Sequence, residues 1–362
     1  MITRKIDRDD ALAGFTYHWV KKLGQKVEQL KVICLEKGNL GSLSKNVKVF
    51  SLDKERYSSH SHFIRRLVLY YNFQRLALKL LPQIDGVFCH QNPEYTICIA
   101  PLAKLFSRKI ITWYTHKQVT WKLDLVNYLA DKILTASEES CRLKNRRKIE
   151  VVGHGIDVEI FKPLSQISDF KPQTFKILSI GRISPIKNYQ TLIEAIEILV
   201  KYKWIDNLEV QIIGGPGLKE HQVYFDQLKQ SVRDKNLENY IKFLGPIPHS
   251  QIIPYYQNSH LFVNLSQTGS LDKAVLEAMA CQNLILTCNE AFFSLLQDKR
   301  LIFQPKKAPD LAEKISKIIF LSKEEKKKIR EKLREEVVKN HNLDKLIDRI
   351  IKGFVQNYKA KP

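Results

Sequence analysis

The sequence contains no uninterrupted apolar run long enough to cross a bilayer, and charges occur throughout its first thirty residues. A membrane-spanning helix needs about 20 consecutive apolar residues, and a secretory signal needs an apolar centre. We therefore expect a cytoplasmic protein. The apolar fraction of 44% is that of an ordinary globular chain, and 362 residues exceed what one hydrophobic core usually fills. We expect two domains with a cleft between them.

Paired cysteines and metal-binding carboxylates are also missing from the sequence. The six cysteines show no Cys-x-x-Cys spacing, and several lie in apolar runs such as VICLE and GVFCH. This distribution favours buried thiols over disulfides or metal ligands. Asp7, Asp9 and Asp10 lie at an N-terminal turn and form no convincing metal-binding pair. We expect neither a metal ion nor a cofactor.

Acidic residues are in the minority, 38 against 59 lysines and arginines, so the formal net charge is +21. Such a surface attracts nucleic acid, anionic lipid or phosphorylated small molecules. The cations expected to contact an anionic membrane are Lys21, Lys22, Lys26, Arg65 and Arg66. A basic nucleic-acid-binding protein is the alternative of a different class. No zinc-finger spacing or RNA-binding aromatic motif supports it.

Short β-branched runs alternate with amphipathic segments over most of the chain, which predicts βαβ units and parallel sheets. The pattern restarts near residue 175, after a stretch with a linker's composition. We therefore expect an α/β fold of two Rossmann-like, doubly wound domains at 1–163 and 164–340, with a C-terminal helix in 341–362 that returns toward the first domain. The predicted strands are 31–36, 47–52, 86–90, 109–115, 132–137, 176–181, 210–215, 241–245, 261–266 and 284–289.

Several strands of the predicted second domain end in loops suited to a ligand, among them GRISPIKN, GGPG and SQTGSLD. Doubly wound sheets bind ligands at the carboxyl ends of their strands, and glycine permits close approach of the backbone. The last loop opens a helix, whose N-terminus favours a phosphate group. Within that helix, Glu277 lies among apolar residues in VLEAMA, and an ionised acid in such surroundings needs a polar partner.

These segments together resemble the GT-B-fold glycosyltransferases of family 4, which are retaining enzymes that use nucleotide sugars. The resemblance runs in order through GHGIDVEIFKP, SIGRISPIKNYQTLIEAIEIL, VQIIGGPG, IKFLGPIPHSQIIPYYQNSHLFVNLS and SLDKAVLEAMAC. It covers the second domain well, and the first only through its strand–helix rhythm and WYTH. The implied fold is GT-B, with two Rossmann-like domains facing a central cleft.

The resemblance assigns roles to three charged residues. Arg182 and Lys187 match the pair that holds the donor diphosphate, and two fixed cations would stabilise the charge on the departing nucleoside diphosphate. Surface charges at a loop end are the alternative. Glu277 matches the second acid of the E-x7-E motif, which binds the ribose hydroxyls. A structural acid satisfied by backbone N–H groups is the alternative for Glu277.

The first acid of that motif falls on Gly269, so the residue expected to contact the sugar is missing. Asp272 and Gln267 are the nearby candidates, and for Asp272 a helix-capping role is the alternative. In the first domain, His116 in WYTHKQ corresponds to a histidine that reaches the transferred sugar; a packed or capping histidine is the alternative. The further donor-site residues implied are Gly14, Gly181, Gly214, Gly215, Ser270 and Leu271.

The implied activity is transfer of a sugar from a UDP- or GDP-linked donor to a glycan or lipid-linked acceptor, as in polysaccharide biosynthesis. We find no paired carboxylates placed for double displacement, so retention would proceed on one face of the sugar without a metal ion. Another GT-B activity, such as an epimerase or an inverting transferase, is an alternative, and Gly269 keeps open a donor-binding pseudoenzyme. An anionic membrane surface is an expected partner, with the protein peripheral on the cytoplasmic face.

Overall fold

The computed structural model describes residues 1–164, 174–202, 207–267 and 269–355. Two predicted features extend beyond these ranges: residues 165–173 of the linker and residues 356–362 of the C-terminal helix lie outside the described residues. The chain divides into two compact units. Unit 1 comprises Met1–Gly155, Pro248–Ser250 and the segment from His341 onward, and unit 2 comprises Ile156–Ile247 and Gln251–Asn340.

Unit 1 contains a seven-stranded parallel sheet in the order β3-β2-β1-β4-β5-β6-β7. One hydrophobic cluster lies among α2, α3 and α4, and a second lies among α1 and α11. The sheet therefore has helices on both faces, as a doubly wound fold requires. Its elements are β1 (Ile2–Ile6), α1 (Phe15–Gly24), β2 (Leu30–Lys37), β3 (Val47–Ser51), α2 (His62–Leu80), β4 (Gly86–His90), α3 (Pro93–Leu105), β5 (Lys109–Trp113), α4 (Trp121–Leu129), β6 (Lys132–Thr135), β7 (Ile149–Val151) and α11 (Leu343–Val355).

Unit 2 contains a five-stranded parallel sheet in the order β10-β9-β8-β11-β12. Helix α5 packs against α6 and α9, and α8 packs against α10. All four residues of β11, and all four of β12, are buried, which explains their continuous apolar sequences. The elements are β8 (Phe175–Ile180), α5 (Tyr189–Lys201), β9 (Leu208–Ile213), α6 (His221–Asp234), β10 (Ile241–Gly245), α7 (Ile253–Gln257), β11 (Leu261–Asn264), α8 (Lys273–Ala280), β12 (Leu284–Thr287), α9 (Ala308–Phe320) and α10 (Lys323–Asn340).

The prediction of two doubly wound parallel sheets is confirmed, and every predicted strand is present within a few residues of its expected bounds. Two strands were missed. β1 has the sequence ITRKI and lies in the interior of the sheet. Its adjacent cations Arg4 and Lys5 interrupt the apolar pattern by which the other strands were predicted. β4 pairs with β1 only at Ile2, and Arg4 is exposed. β7 has only three half-buried residues and follows a basic run.

No helix in the described ranges combines the length and apolar character needed to span a membrane. The six cysteines are free; five are buried and Cys98 is half-buried, in agreement with the predicted buried thiols.

Candidate functional site

The charged and glycine-containing loops of unit 2 follow two strands that are neighbours in the sheet. β8 pairs with β9 on one side and β11 on the other, and the chain reverses its direction of strand addition between β8 and β11. Doubly wound sheets bind their ligands at this switch point. The loop after β8 carries Arg182 and Lys187, and the loop after β11 leads to Asp272 at the start of α8.

Lys187 and Asp272 form an ion pair across these two loops. Nζ of Lys187 lies 2.9 Å from Oδ1 and 3.1 Å from Oδ2 of Asp272, and it also donates to Oγ of Ser266 at 3.3 Å. Both side chains are about one-fifth exposed, at 20% and 22%. The predicted diphosphate-binding cation and the predicted sugar-contacting acid are therefore direct partners.

Asp272 occupies the N-cap position of α8, but its side chain makes no capping hydrogen bond. Nδ2 of Asn264, the last residue of β11, donates to Oδ2 of Asp272 at 2.9 Å. Burial alone would raise the pKa of Asp272. The charge of Lys187 and the hydrogen bonds from Lys187, Asn264 and Ser266 outweigh burial and hold that pKa below its ordinary value. Asp272 is thus the acceptor of a polar network, and the alternative role of a helix cap is not what the structure shows.

The network continues to the end of β12. Thr287 donates from Oγ1 to Oδ1 of Asn264 at 3.0 Å, and the backbone N–H of Asn289 donates to Oγ1 of Thr287 at 3.1 Å. Nδ2 of Asn289 donates to the carbonyl of Ser270 at 2.9 Å, in the loop that precedes α8. Sequence reasoning missed Asn264, Thr287 and Asn289. The available signal was a polar residue at the carboxyl end of each buried apolar strand.

Arg182 differs from Lys187 because its guanidinium is exposed. Within the described part of the chain it forms no hydrogen bond or ion pair. A Cβ added to Gly217 would lie 2.8 Å from Cδ of Arg182, so the aliphatic part of the arginine lies against the glycine-containing loop after β9. Arg182 is therefore an exposed cation that an anionic ligand can reach. It lies beside Gly217, whose lack of a side chain leaves space for the arginine.

The predicted glycines make different contributions to these loops. Gly214 has φ +142°, and a Cβ there would lie 1.9 Å from the carbonyl oxygen of Gly181. Only glycine allows the two backbones to approach this closely. At Gly215 an added Cβ would meet Pro246 at an ordinary 3.6 Å, so the geometry does not require glycine at that position.

Glu277 is 4% exposed and lies in α8. The hydroxyl of Tyr256, in α7, donates to its Oε2 at 2.9 Å. Burial lowers the pKa of Lys273, one turn earlier in the same helix, to about 7, and the negative charge of Glu277 opposes this shift. Tyr256 was not identified from the sequence, although it supplies a polar partner for the carboxylate.

The other predicted residues lie at separate positions. In the loop before α8, Gly269 is buried and Leu271 belongs to the hydrophobic core at 5% exposure, which leaves only the main chain of Leu271 for a ligand. His116 lies in unit 1 and is exposed, and its Nδ1 accepts from the N–H of Gln118 at 3.2 Å. Gly14 precedes α1, also in unit 1, and an added Cβ would lie 2.6 Å from the carbonyl oxygen of Asp10.

No group of three or more His, Cys, Asp or Glu side chains in the described ranges is arranged to hold a metal ion.

The fold and the position of the network define a doubly wound protein of the GT-B class. Residues 161–339 match the model of the family "Glycosyl transferases group 1". The matched residues lie almost wholly in unit 2 and include Arg182, Lys187, Asp272 and Glu277. Residues 161–339, just under half of the chain, are thus similar to this family.

Individual relatives agree with this assignment. The chain is 26% identical over 148 residues to D-inositol 3-phosphate glycosyltransferase of Paenarthrobacter aurescens. The aligned region covers 39% of this chain and 35% of that protein. It is 25% identical over 169 residues to human GDP-Man:Man(3)GlcNAc(2)-PP-Dol alpha-1,2-mannosyltransferase. This alignment covers 44% of this chain and 34% of the human protein. The chain thus spans about a third of the length of these relatives. The structure of Anabaena Alr3699/HepE with UDP and glucose covers 98% of this chain and 99% of its own, with a TM-score of 0.76 and 16% identity.

Proposed function

We propose that the protein is a retaining glycosyltransferase that moves a sugar from a nucleotide-sugar donor to a glycan or lipid-linked acceptor. The observation that carries this proposal is the pair of cations at the switch point of unit 2: Arg182, exposed, and Lys187, paired with Asp272. They lie in the part of the chain that matches the model of the family "Glycosyl transferases group 1".

The two cations suit the chemistry of the donor. Cleavage of the sugar–phosphate bond places negative charge on the leaving diphosphate, and preorganised cations lower the energy of that transition state more than that of the ground state. Because the two cations supply the neutralising charge, we propose transfer without a metal ion and from a UDP- or GDP-linked donor. UDP is the nucleotide in the structure of Anabaena Alr3699/HepE. We assign the ribose to Glu277, whose carboxylate Tyr256 orients.

The finer proposals concern stereochemistry and location. We propose that retention occurs on one face of the sugar, with the leaving phosphate helping to deprotonate the acceptor, and that His116 contacts the transferred sugar. The name of the human relative specifies an acceptor carried on PP-Dol, which is consistent with a lipid-linked acceptor here. Together with the net charge of +21, this supports a protein that works in the cytoplasm at the surface of an anionic membrane.

The test uses the purified full chain with a panel of UDP- and GDP-sugars, with and without acceptors and with and without a chelator, while released nucleoside diphosphate is measured. Arg182→Ala and Lys187→Ala should each lower turnover by about a hundredfold or more, because one preorganised donor contributes about 3 kcal/mol. Lys201→Ala, at the exposed end of α5, is the matched control. Full turnover in both site variants would contradict the assignment. Diphosphate binding without turnover with any donor would indicate a donor-binding protein instead.

A further inference from the structure

Helix α2 of unit 1 has two apolar faces, and only one of them is covered. Phe73, Ala77 and Leu80 are buried in the cluster shared with α3 and α4. Six large apolar side chains on the same helix are exposed. This set, here called the α2 stripe, comprises Phe63 (70% exposed), Ile64 (48%), Leu67 (52%), Tyr70 (51%), Tyr71 (66%) and Leu78 (48%).

The stripe forms a single face of the helix. At about 100° per residue, its six members fall within an arc of roughly 120°, and the buried residues fall on a different arc. Over residues 62–72 no side chain of α2 is fully buried. The first three turns of the helix therefore pack less tightly against unit 1 than the later turns do. An exposed apolar face of this extent indicates an interaction surface, because scattered surface apolar residues do not align in this way.

The charges of α2 indicate what this surface contacts. The helix carries Arg65, Arg66, Arg75 and Lys79 and contains no acidic residue. Arg66 lies near enough to Glu94 of α3 to affect its pKa. Oε1 of Glu94 accepts a hydrogen bond from Nζ of Lys122 at 2.6 Å. Burial would raise the pKa of Glu94, but Lys122 and Arg66 hold it below the ordinary value. At about 100° per residue, Arg66 lies on the side of the buried residues, toward Glu94, and Arg65 lies nearly opposite the stripe. Arg75 and Lys79 lie on the arc next to the stripe and are the cations that accompany it.

We propose that the α2 stripe is the surface by which this protein binds an anionic lipid bilayer. A helix that lies in a membrane interface places aromatic and aliphatic side chains among the acyl chains and extends arginine and lysine to the headgroups. Phe63, Tyr70 and Tyr71 are side chains of the type that partition to the interface, and nearby cations add electrostatic attraction to anionic lipid.

The first helix, α1, does not offer an equivalent surface. Lys22 is 2.9 Å from Asp344 and Lys26 is 3.0 Å from Asp348, both carboxylates belonging to α11. These two lysines, predicted from the sequence to contact the membrane, are therefore neutralised within unit 1. Arg65 and Arg66, predicted for the same role, are on the helix that carries the stripe but lie outside the arc of the stripe.

The inference rests on the proposed function only for its purpose, which is to bring the protein to a lipid-linked acceptor. Binding is therefore measured without donor, by sedimentation with vesicles of phosphatidylcholine alone or mixed with phosphatidylglycerol. Wild type should sediment with the mixed vesicles at low salt and less at moderate salt. Leu67→Ser with Tyr71→Ser should lower the partition coefficient by about tenfold or more, since both side chains lose their apolar insertion.

Two matched controls separate the stripe from general effects. Val223→Ser with Phe320→Ser removes apolar side chains of similar exposure, 65% and 73%, from unit 2 and should leave binding unchanged. Arg75→Gln with Lys79→Gln should lower the preference for anionic vesicles by about tenfold, and Lys22→Gln with Lys26→Gln should change it little. Circular dichroism and urea unfolding establish that each variant is folded.

The proposal would be overturned if the stripe variants bound vesicles as well as wild type does. It would also be overturned if wild type bound neutral and anionic vesicles equally. Self-association of wild type that the stripe variants abolish, with no vesicle binding, would also overturn it and would assign the stripe to a second copy of the chain. Sugar transfer to a small soluble acceptor is measured in parallel. Vesicle binding without any transfer would count against the proposed function and leave this inference standing.

Discussion

Lys187 is shared between a carboxylate of the protein and, in the proposed reaction, the diphosphate of the donor. Asp272 accepts from it at 2.9 Å and is itself held by Asn264. A carboxylate beside a bound diphosphate repels it, so the negative charge of Asp272 offsets part of the attraction between Lys187 and the diphosphate. In the proposed reaction, Asp272 would therefore position the lysine and at the same time weaken the binding of the product diphosphate.

The prediction at this position concerns affinity for free nucleoside diphosphate. Asp272→Asn keeps the shape of the side chain and removes its charge, so Lys187 becomes uncompensated and the diphosphate should bind about fivefold more tightly, equivalent to about 1 kcal/mol. Calorimetry with UDP and GDP at fixed salt measures this effect. Asp226→Asn, which removes an exposed carboxylate 3.2 Å from Lys229, is the control. Weaker binding in Asp272→Asn would mean that orientation of Lys187 outweighs repulsion.

At the scale of single residues, the sequence indicates candidate site residues but not their contacts with one another. Arg182, Lys187, Asp272 and Glu277 are candidates from motifs and strand-end positions. The Lys187–Asp272 contact joins residues 85 positions apart, and it depends on β8 and β11 being neighbours in the sheet. No local pattern in the sequence encodes that adjacency. The same reason explains why the hydroxyl of Tyr256 was not foreseen as the partner of Glu277.

At the scale of elements, α11 illustrates how a C-terminal helix completes a core that begins at the N-terminus. Leu343, Leu346, Ile347 and Ile350 recur at helical spacing and are buried with Trp19 and Trp113. Charged residues on α11 contact α1, as in the Lys22–Asp344 pair. The helix is therefore an integral layer of unit 1.

Removing core contacts of α11 should destabilise unit 1. Ile347 is fully buried, so Ile347→Ala should lower the free energy of unfolding by about 2–4 kcal/mol through lost burial and the cavity left behind. Val355→Ala, at a side chain that is 77% exposed in the same helix, should change it by less than about 0.5 kcal/mol. Urea unfolding of both variants gives the comparison. Equal stability of Ile347→Ala and wild type would show that α11 contributes little to the core.

The sequence predicted elements well where burial dictates composition and less well where it does not. β11 and β12 are buried along their whole length, and their apolar runs located them correctly. β1 lies between β2 and β4 but carries the exposed Arg4 and the half-buried Lys5, so its sequence lacks the apolar run of a buried strand. Helix α2 is one of the amphipathic segments that alternate with the predicted strands. The pattern could not reveal that one of its apolar faces is exposed, because exposure depends on which neighbours pack against the helix.

At the scale of the whole molecule, buried neutral histidines make stability depend on pH. His341 is 5% exposed and its Nδ1 accepts from the N–H of His154 at 3.1 Å. Burial lowers its pKa from 6.5 to about 4. In unit 2, burial and the nearby charge of Arg330 lower the pKa of His260 to about 4 as well. Each histidine is therefore neutral in the folded protein at pH values where the unfolded chain would protonate it.

The sign of the effect follows from proton binding. Between about pH 6.5 and 4 the unfolded state binds more protons, so stability is full above pH 6.5 and falls as the pH falls. Each histidine should cost about 2 kcal/mol at pH 5 relative to pH 7.5. His341→Gln should reduce this loss by that amount, and the exposed His62→Gln should not. Urea unfolding at both pH values measures it. An unchanged pH dependence in His341→Gln would show that His341 is not responsible.

The composition of unit 1 has a consequence for how the chain folds during synthesis. A ribosome releases residues in order, so all of unit 2 has emerged before α11, whose side chains close one face of the sheet of unit 1. Until then Trp19, Val20 and Ile111 lack the helix that covers them, and exposed apolar surface of this kind attracts chaperones and promotes aggregation. The first unit to begin folding is thus the last to finish, and a stalled or prematurely terminated chain would carry a finished unit 2 beside an open unit 1.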